Sequence, residues 1–203
     1  MVETQIAARG IRDPRVLDAM RRVPRHAFVR DRDVGAAYGD HPLDIGFGQT
    51  ISQPYIVGYM TEALALAPAS RVLEIGTGSA YQTAVLAEVA AEVFTIEIVP
   101  EHADRAARLL QALGYANVRV RTGDGYAGWP DAAPFDGIIV TAAPDHVPPA
   151  LVDQLRPGGR LVIPIGRIEQ DLVVFTRTPE GLREEDRLAV RFVPLVRDES
   201  RDH

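Results

Sequence analysis

From residue 71 onward the chain alternates short unbroken apolar runs with longer amphipathic ones. The runs are RVLEI (71–75), VFTIEI (93–98), VRV (118–120), FDGIIV (135–140) and RLVIPI (160–165). Apolar runs without polar alternation suit strands buried on both faces, which occur in parallel sheets covered by helices. The separators AYQTAVLAEVA (80–90), PEHADRAARLLQAL (100–113) and VPPALVDQLRPGG (147–159) have helical spacing; Ala103, Ala106, Ala107, Leu110 and Leu113 fall on one face. Strands and helices in alternation predict an α/β fold around a mostly parallel sheet.

The ends of the chain read differently. The glycines of RPGGR (156–160) end a helix and turn into a strand, after which DLVVFTRTPEGLRE (171–184) and LAVRFVPLV (188–196) read as a closing hairpin turning at PEG. Residues 3–30 read as two short helices, one ending at Gly10, the other capped by Asp13 with Pro14 in its first position. They form a helical cap. Residues 31–52, rich in Gly, Asp and Pro, read as a long ordered loop or lid, and the tail RDESRDH (197–203) as frayed.

At 203 residues with 46% hydrophobic content, the chain can bury one substantial core and is short for two, so 1–203 is expected to be a single domain. No apolar stretch is long enough to cross a bilayer and the N-terminus lacks a secretory pattern, which gives a cytoplasmic, membrane-free expectation. Cysteine is absent, which excludes disulfides, thiolate metal sites and cysteine nucleophiles. His26, His41, His102, His146 and His203 show no ligand-like spacing, so no metal is expected. The net charge of -6 opposes nonspecific nucleic-acid binding, and no nucleic-acid partner is expected. Every basic residue is Arg; a Schiff-base or P-loop lysine is therefore excluded.

The strand RVLEI runs into GTGSAYQTAVLA, where Gly76 and Gly78 allow a sharp turn and close approach to a ligand at a helix N-terminus. A glycine pair is also what any tight strand-to-helix turn uses. Glu97, ending the next strand, adds an acid where such folds reach ribose hydroxyls, and so points to an adenosine-type ligand. The dinucleotide fingerprint wants Gly or Ala where Tyr81 stands, which argues against NAD and a nicotinamide oxidoreductase.

With GQTISQPYIV (48–57), VLEIGTGSAYQTA (72–84), TGDGYAGWP (122–130), FDGIIVTAAP (135–144), LRPGGRLVIPIG (155–166) and VRFVPL (190–195) in this order, the chain resembles the class I S-adenosylmethionine-dependent methyltransferases. More specifically, it resembles the protein-L-isoaspartate (D-aspartate) O-methyltransferase family. The resemblance implies a three-layer α/β/α Rossmann-like fold with a mostly parallel seven-stranded sheet, a C-terminal antiparallel hairpin and an N-terminal helical cap. Residues 1–52 would be cap and active-site loop, and 53–203 the cofactor-binding core. It implies S-adenosylmethionine as cofactor, S-adenosylhomocysteine as product, and isoaspartyl-containing proteins and peptides as partners of a monomeric enzyme. Methylation of the isoaspartyl α-carboxylate would lead, through ester and succinimide, back toward aspartate.

By the same resemblance Ser52 is the active-site residue, with Thr50 and Ile51 beside it. Gly76, Thr77 and Gly78 pass under the methionine and ribose, Glu74 helps hold the methionine amino group, and Gln82 completes that side. Glu97 accepts the ribose hydroxyls, Ile98 packs on adenine, Asp124 and Gly125 meet its edge, and Thr141 and Ala142 lie near the transferring methyl. From the residues alone, Ser52 reads as a helix cap, Ile98 as core and Asp124 as a turn cap. Two positions depart from the family pattern: Ala80, where relatives usually have Gly, and Val196, where some have Thr. The alternatives are a carboxyl methyltransferase for one dedicated peptide and a non-catalytic binding protein.

Overall fold

The computed structural model describes residues 1–197. One turn of π-helix (Val2–Ile6) runs into a 3₁₀ turn (Ala7–Arg9) that Gly10 stops at φ 107°. Helix α1 (Pro14–Arg22) starts as its sequence predicts, with the Asp13 carboxylate accepting from the Arg15 N–H at 2.8 Å and Pro14 in the first turn. These segments form the helical cap.

The segment expected to be a long loop holds regular structure instead. A 3₁₀ stretch (Asp31–Ala36) precedes a hairpin of β1 (Leu43–Gly46) and β2 (Gln49–Ile51), with Leu43 opposite Ile51 and Asp44 opposite Thr50. Phe47 and Gly48 form its turn with φ of 53° and 71°, the backbone sense that matches strand twist. Phe-Gly carries a weaker hairpin signal than Asn-Gly, hence the missed strands. Helix α2 (Pro54–Ala63) follows, with Gln53 at its N-cap position. Ser52 lies one residue outside, so its reading as the helix cap is corrected.

Strands β3 (Arg71–Ile75), β4 (Glu92–Glu97), β5 (Val118–Thr122), β6 (Phe135–Val140) and β7 (Leu155–Ile165) form the parallel part of the sheet. Strands β8 (Gln170–Thr178) and β9 (Gly181–Val190) add the antiparallel hairpin, giving the order β5-β4-β3-β6-β7-β8-β9. The connecting helices are α3 (Tyr81–Val89), α4 (Pro100–Ala112) and α5 (Pro149–Gln154). This is the mostly parallel, seven-stranded Rossmann-like sheet expected.

Two boundaries differ from the sequence reading. Strand β7 begins at Leu155, and 156–159 are a bulge: Leu155 pairs with Phe135, while the next pair is Arg160 with Gly137. RPGG therefore interrupts a strand. At the other end β9 starts directly after Pro179 and Glu180 and stops at Val190, so the hairpin closes earlier and 191–196 leave the sheet. That departing segment doubles back. The Ala143 N–H donates to the Val193 carbonyl and the Leu195 N–H to the Ala143 carbonyl, both at 2.8 Å, which lays 193–195 beside the end of β6.

Strand alternation sorts the core into two faces. Val72, Val93, Ile139 and Val162 join one apolar cluster with residues of α1, α2, α3 and α4, while Leu73, Ile75, Phe94, Ile138 and Ile163 join another with Leu151 of α5. Helix α3 is buried all round because α1 and α2 cover the side that the sheet does not. No helix among the described residues is long and apolar enough to cross a membrane.

Phe94 anchors the second face, with edge-on contacts to Trp129 at 5.4 Å and Phe135 at 5.6 Å between ring centroids. Phe94→Ala should cost about 3–5 kcal/mol of unfolding free energy. Chemical denaturation checks this; a loss below about 1 kcal/mol would mean that the site collapses around the missing ring.

Candidate active site

The order of the sheet reverses at β3, which has β4 on one side and β6 on the other. Crevices form at the carboxyl ends of strands at such a point. A cleft opens there, with the β3–α3 turn as its floor and β2 and residues 193–196 among its walls.

The turn is built from residues of positive φ: Gly76 at 94°, Gly78 at 50° and Ala80 at 69°. A Cβ on Gly76 would fall 2.4 Å from Thr141 Oγ1, and that hydroxyl donates to the Gly76 carbonyl at 2.6 Å. Thr141 thus holds the turn down onto β6. Glu97, 4% exposed, accepts from the Gly78 N–H at 2.7 Å and the Val99 N–H at 3.0 Å. One carboxylate joins the glycine turn to the end of β4.

Glu74 lies below the turn, fully buried, and its side chain points to the α3 face. Thr83 and Thr95 donate to its Oε2 at 2.5 and 2.6 Å, and Oε1 has no partner among the described residues. Because Thr95 spends its hydrogen on Glu74, the Thr77–Thr95 contact at 2.6 Å runs with Thr77 as donor. Burial pushes the Glu74 carboxyl up to about 8, against the two hydroxyls that pull it down and with Glu97 adding a smaller upward push.

Of the residues singled out from the sequence, Thr50, Ile51, Ser52, Gly76, Thr77, Gly78, Gln82, Glu97, Ile98, Gly125, Thr141 and Ala142 line the cleft. Glu74 and Asp124 do not. Asp124 accepts from the Tyr126 N–H at 2.9 Å and caps the turn that presents Gly125. Gln82 donates to Thr61 at 2.9 Å and so ties α3 to α2. The half-buried Ser52 has its carbonyl bound by Arg25 at 2.7 Å. Its hydroxyl bonds to nothing else among the described residues, which leaves it available to a ligand.

Sequence reasoning gave no site role to Gln49, Val57, Ser79, Tyr81 or residues 193–196, all of which line the cleft. The signals for 193–196 are VRFVPL as a family stretch and Val196 as a departure from the family pattern.

A family model described as protein-L-isoaspartate(D-aspartate) O-methyltransferase matches residues 1–200. The chain belongs to this family. It is 59% identical over 195 residues to a protein-L-isoaspartate O-methyltransferase of Picosynechococcus sp., covering 96% of this chain and 88% of that one. A solved protein-L-isoaspartate O-methyltransferase superposes with a TM-score of 0.87 at 31% identity, covering 96% of this chain and 65% of that longer chain. A putative family member from Plasmodium falciparum, solved with S-adenosyl-L-homocysteine, superposes with a TM-score of 0.82 at 27% identity over 97% of both chains.

The raised Glu74 pKa sets a pH dependence. The native state holds this proton more tightly than the unfolded chain, so the stabilisation is complete below the ordinary value of 4.5 and is lost as pH rises toward about 8. In the ligand-free protein, Glu74→Gln should flatten that part of the melting-temperature profile. An unchanged profile would show that Glu74 does not titrate in this window.

Proposed function

We infer that this chain transfers the methyl group of S-adenosylmethionine to the free α-carboxylate of L-isoaspartyl residues in proteins and peptides. The observation that carries the reading, beside family membership, is a cleft at the switch point that joins the glycine turn, Glu97, strand β2 and Ser52 in one lining. The cofactor fits the residues present. A Cβ on Gly76 or Gly125 would collide with Thr141 or Ile75, so both positions present bare backbone to the cleft, and the partnerless oxygen of Glu74 is a buried acceptor suited to an ammonium group, reached through water.

When bound, S-adenosylmethionine supplies an electrophilic sulfonium methyl. Glu97 accepts the ribose hydroxyls with the lone pairs its two backbone donors leave free, while Ile98 and Gly125 border the adenine and Asp124 fixes the turn carrying Gly125. Gly76, Thr77, Gly78 and Gln82 bound the methionine side, and Thr141 and Ala142 the methyl side. Thr50 and Ile51 wall the mouth.

The substrate carboxylate is ionised at neutral pH and needs no general base. Ser52 donates a hydrogen bond to one carboxylate oxygen and aims the other at the methyl carbon; alignment of this kind supplies about 7–11 kcal/mol. A carbon–oxygen bond forms as the carbon–sulfur bond breaks, and opposite charges cancel. Excluding water from the cleft favours that step over the separated ions.

The direct test is methyl transfer from labelled cofactor to an isoaspartyl peptide beside its aspartyl twin. Base-labile label on the isoaspartyl peptide alone is expected; label on both or neither would refute the substrate assignment. Ser52→Ala should lower kcat about 10- to 100-fold with little change in cofactor affinity, and unchanged turnover would remove Ser52 from this role. Glu97→Gln should weaken S-adenosylhomocysteine binding about 10-fold by calorimetry, whereas an unaltered Kd would refute the ribose contact.

A further inference from the structure

We propose that Arg25 is a positioning residue for methyl transfer: it staples the two legs of the β1–β2 hairpin and so sets the place of Ser52 at the cleft. Arg25 lies in a 3₁₀ turn (Arg25–Phe28) of the N-terminal cap and is 0% exposed. Its Nε donates to the Ala37 carbonyl and its Nη2 to the Ser52 carbonyl, each at 2.7 Å. Ala37 precedes β1 and Ser52 follows β2. One planar guanidinium therefore spans both ends of the segment whose second strand walls the cleft.

A role in filling space alone does not account for this group. No carboxylate lies within ion-pair distance of Arg25 among the described residues, and its Nη1 has no partner there. Burial pulls its pKa down to about 10, yet it remains a cation at neutral pH. A buried, incompletely bonded charge is costly, and apolar residues in such places are often as stable or more so. Only the fork of a guanidinium reaches two diverging carbonyls from one rigid plane.

The neighbours reinforce the same point. Arg25 lies over the ring of Tyr81, 4.7 Å from its centroid, and Tyr81 lines the cleft. Just beyond Ser52, Asp40 accepts from Gln53 at 2.8 Å and is bound by Arg9 at 2.8 Å. The residues around Ser52 are thus held from the cap side by Arg25 and, one step on, by Asp40. Arg25 does not line the cleft; it acts through Ser52.

The inference rests on the reading of Ser52 as the residue that aims the substrate carboxylate, and the test separates the two. Arg25→Lys keeps the charge and the stem but cannot bridge both carbonyls. It should lower kcat roughly 10- to 100-fold, with S-adenosylhomocysteine affinity within about 2-fold and the protein still folded by thermal melting. In a Ser52→Ala background the same change should cost less than about 3-fold, since the group it positions is gone. Equal losses in both backgrounds, or no loss in either, would overturn the proposal. If Arg25→Lys does not fold, Arg25→Gln, which removes the buried charge and keeps a donor, carries the same comparison. If Ser52→Ala alone leaves turnover intact, amide hydrogen exchange of residues 49–53 decides. Faster exchange there with reduced turnover keeps Arg25 as the staple of the hairpin, and unchanged exchange refutes it.

Discussion

The turn between β3 and α3 passes through three residues of positive φ within five positions, and the walls of the cleft are arranged to hold it. Thr141 ties its first carbonyl to β6, and Glu97 ties the Gly78 N–H to β4. Both ties come from strand ends, where the sheet is rigid. The floor of the cleft therefore needs no ligand to define it. Ala80 completes the turn at a left-handed backbone that costs a non-glycine residue about 1–2 kcal/mol. Its buried methyl returns about 0.8 kcal/mol. Burial therefore offsets part of the strain that alanine bears at this φ.

Two ionisable groups are buried close to this turn, each with one polar atom unpaired among the described residues: Glu74 beneath and Arg25 behind. They differ in how they are held. Glu74 receives two threonine hydroxyls on one oxygen, and burial drives it toward its neutral form. Arg25 keeps its charge and gives two donors to main-chain carbonyls flanking the β1–β2 hairpin. One lies under the glycine turn, and the other links the backbone on either side of the β1–β2 hairpin. Carboxyl methylation asks for little more, because both nucleophile and electrophile arrive charged and the protein has chiefly to align them and keep water out.

What was legible in the sequence follows from periodicity and from turn chemistry. Strands β3, β4 and β6 are mostly apolar runs buried on both faces, β5 at the sheet edge alternates Val with Arg, and the amphipathic stretches between them became helices because a two-sided sheet needs cover on both faces. Asp13 and Pro14 opened α1 as local rules require. The misplacements fall where local rules compete with distant contacts. RPGG looks like a helix end, yet it bulges inside β7 because Leu155 is already paired with Phe135. VPLV looks like a strand, but its partner is the end of β6 and not β8. Phe47 in a left-handed turn has no common sequence signal, so the hairpin that carries Thr50 and Ile51 was read as a loop.

By itself the sequence determined the α/β class, the glycine turn with its acid on the next strand, the absence of cysteine and lysine chemistry, and the family. These are properties of residue type and spacing, which survive without coordinates. Tertiary structure decided the rest. It put Glu74 under the turn and out of the cleft, gave Asp124 to a cap, brought residues 193–196 back over the site, and set an arginine from the N-terminal cap against the carbonyl of Ser52. Each of those outcomes depends on which backbone groups of remote segments are left to satisfy one another once the sheet has formed, and spacing along a single strand or helix carries no record of that.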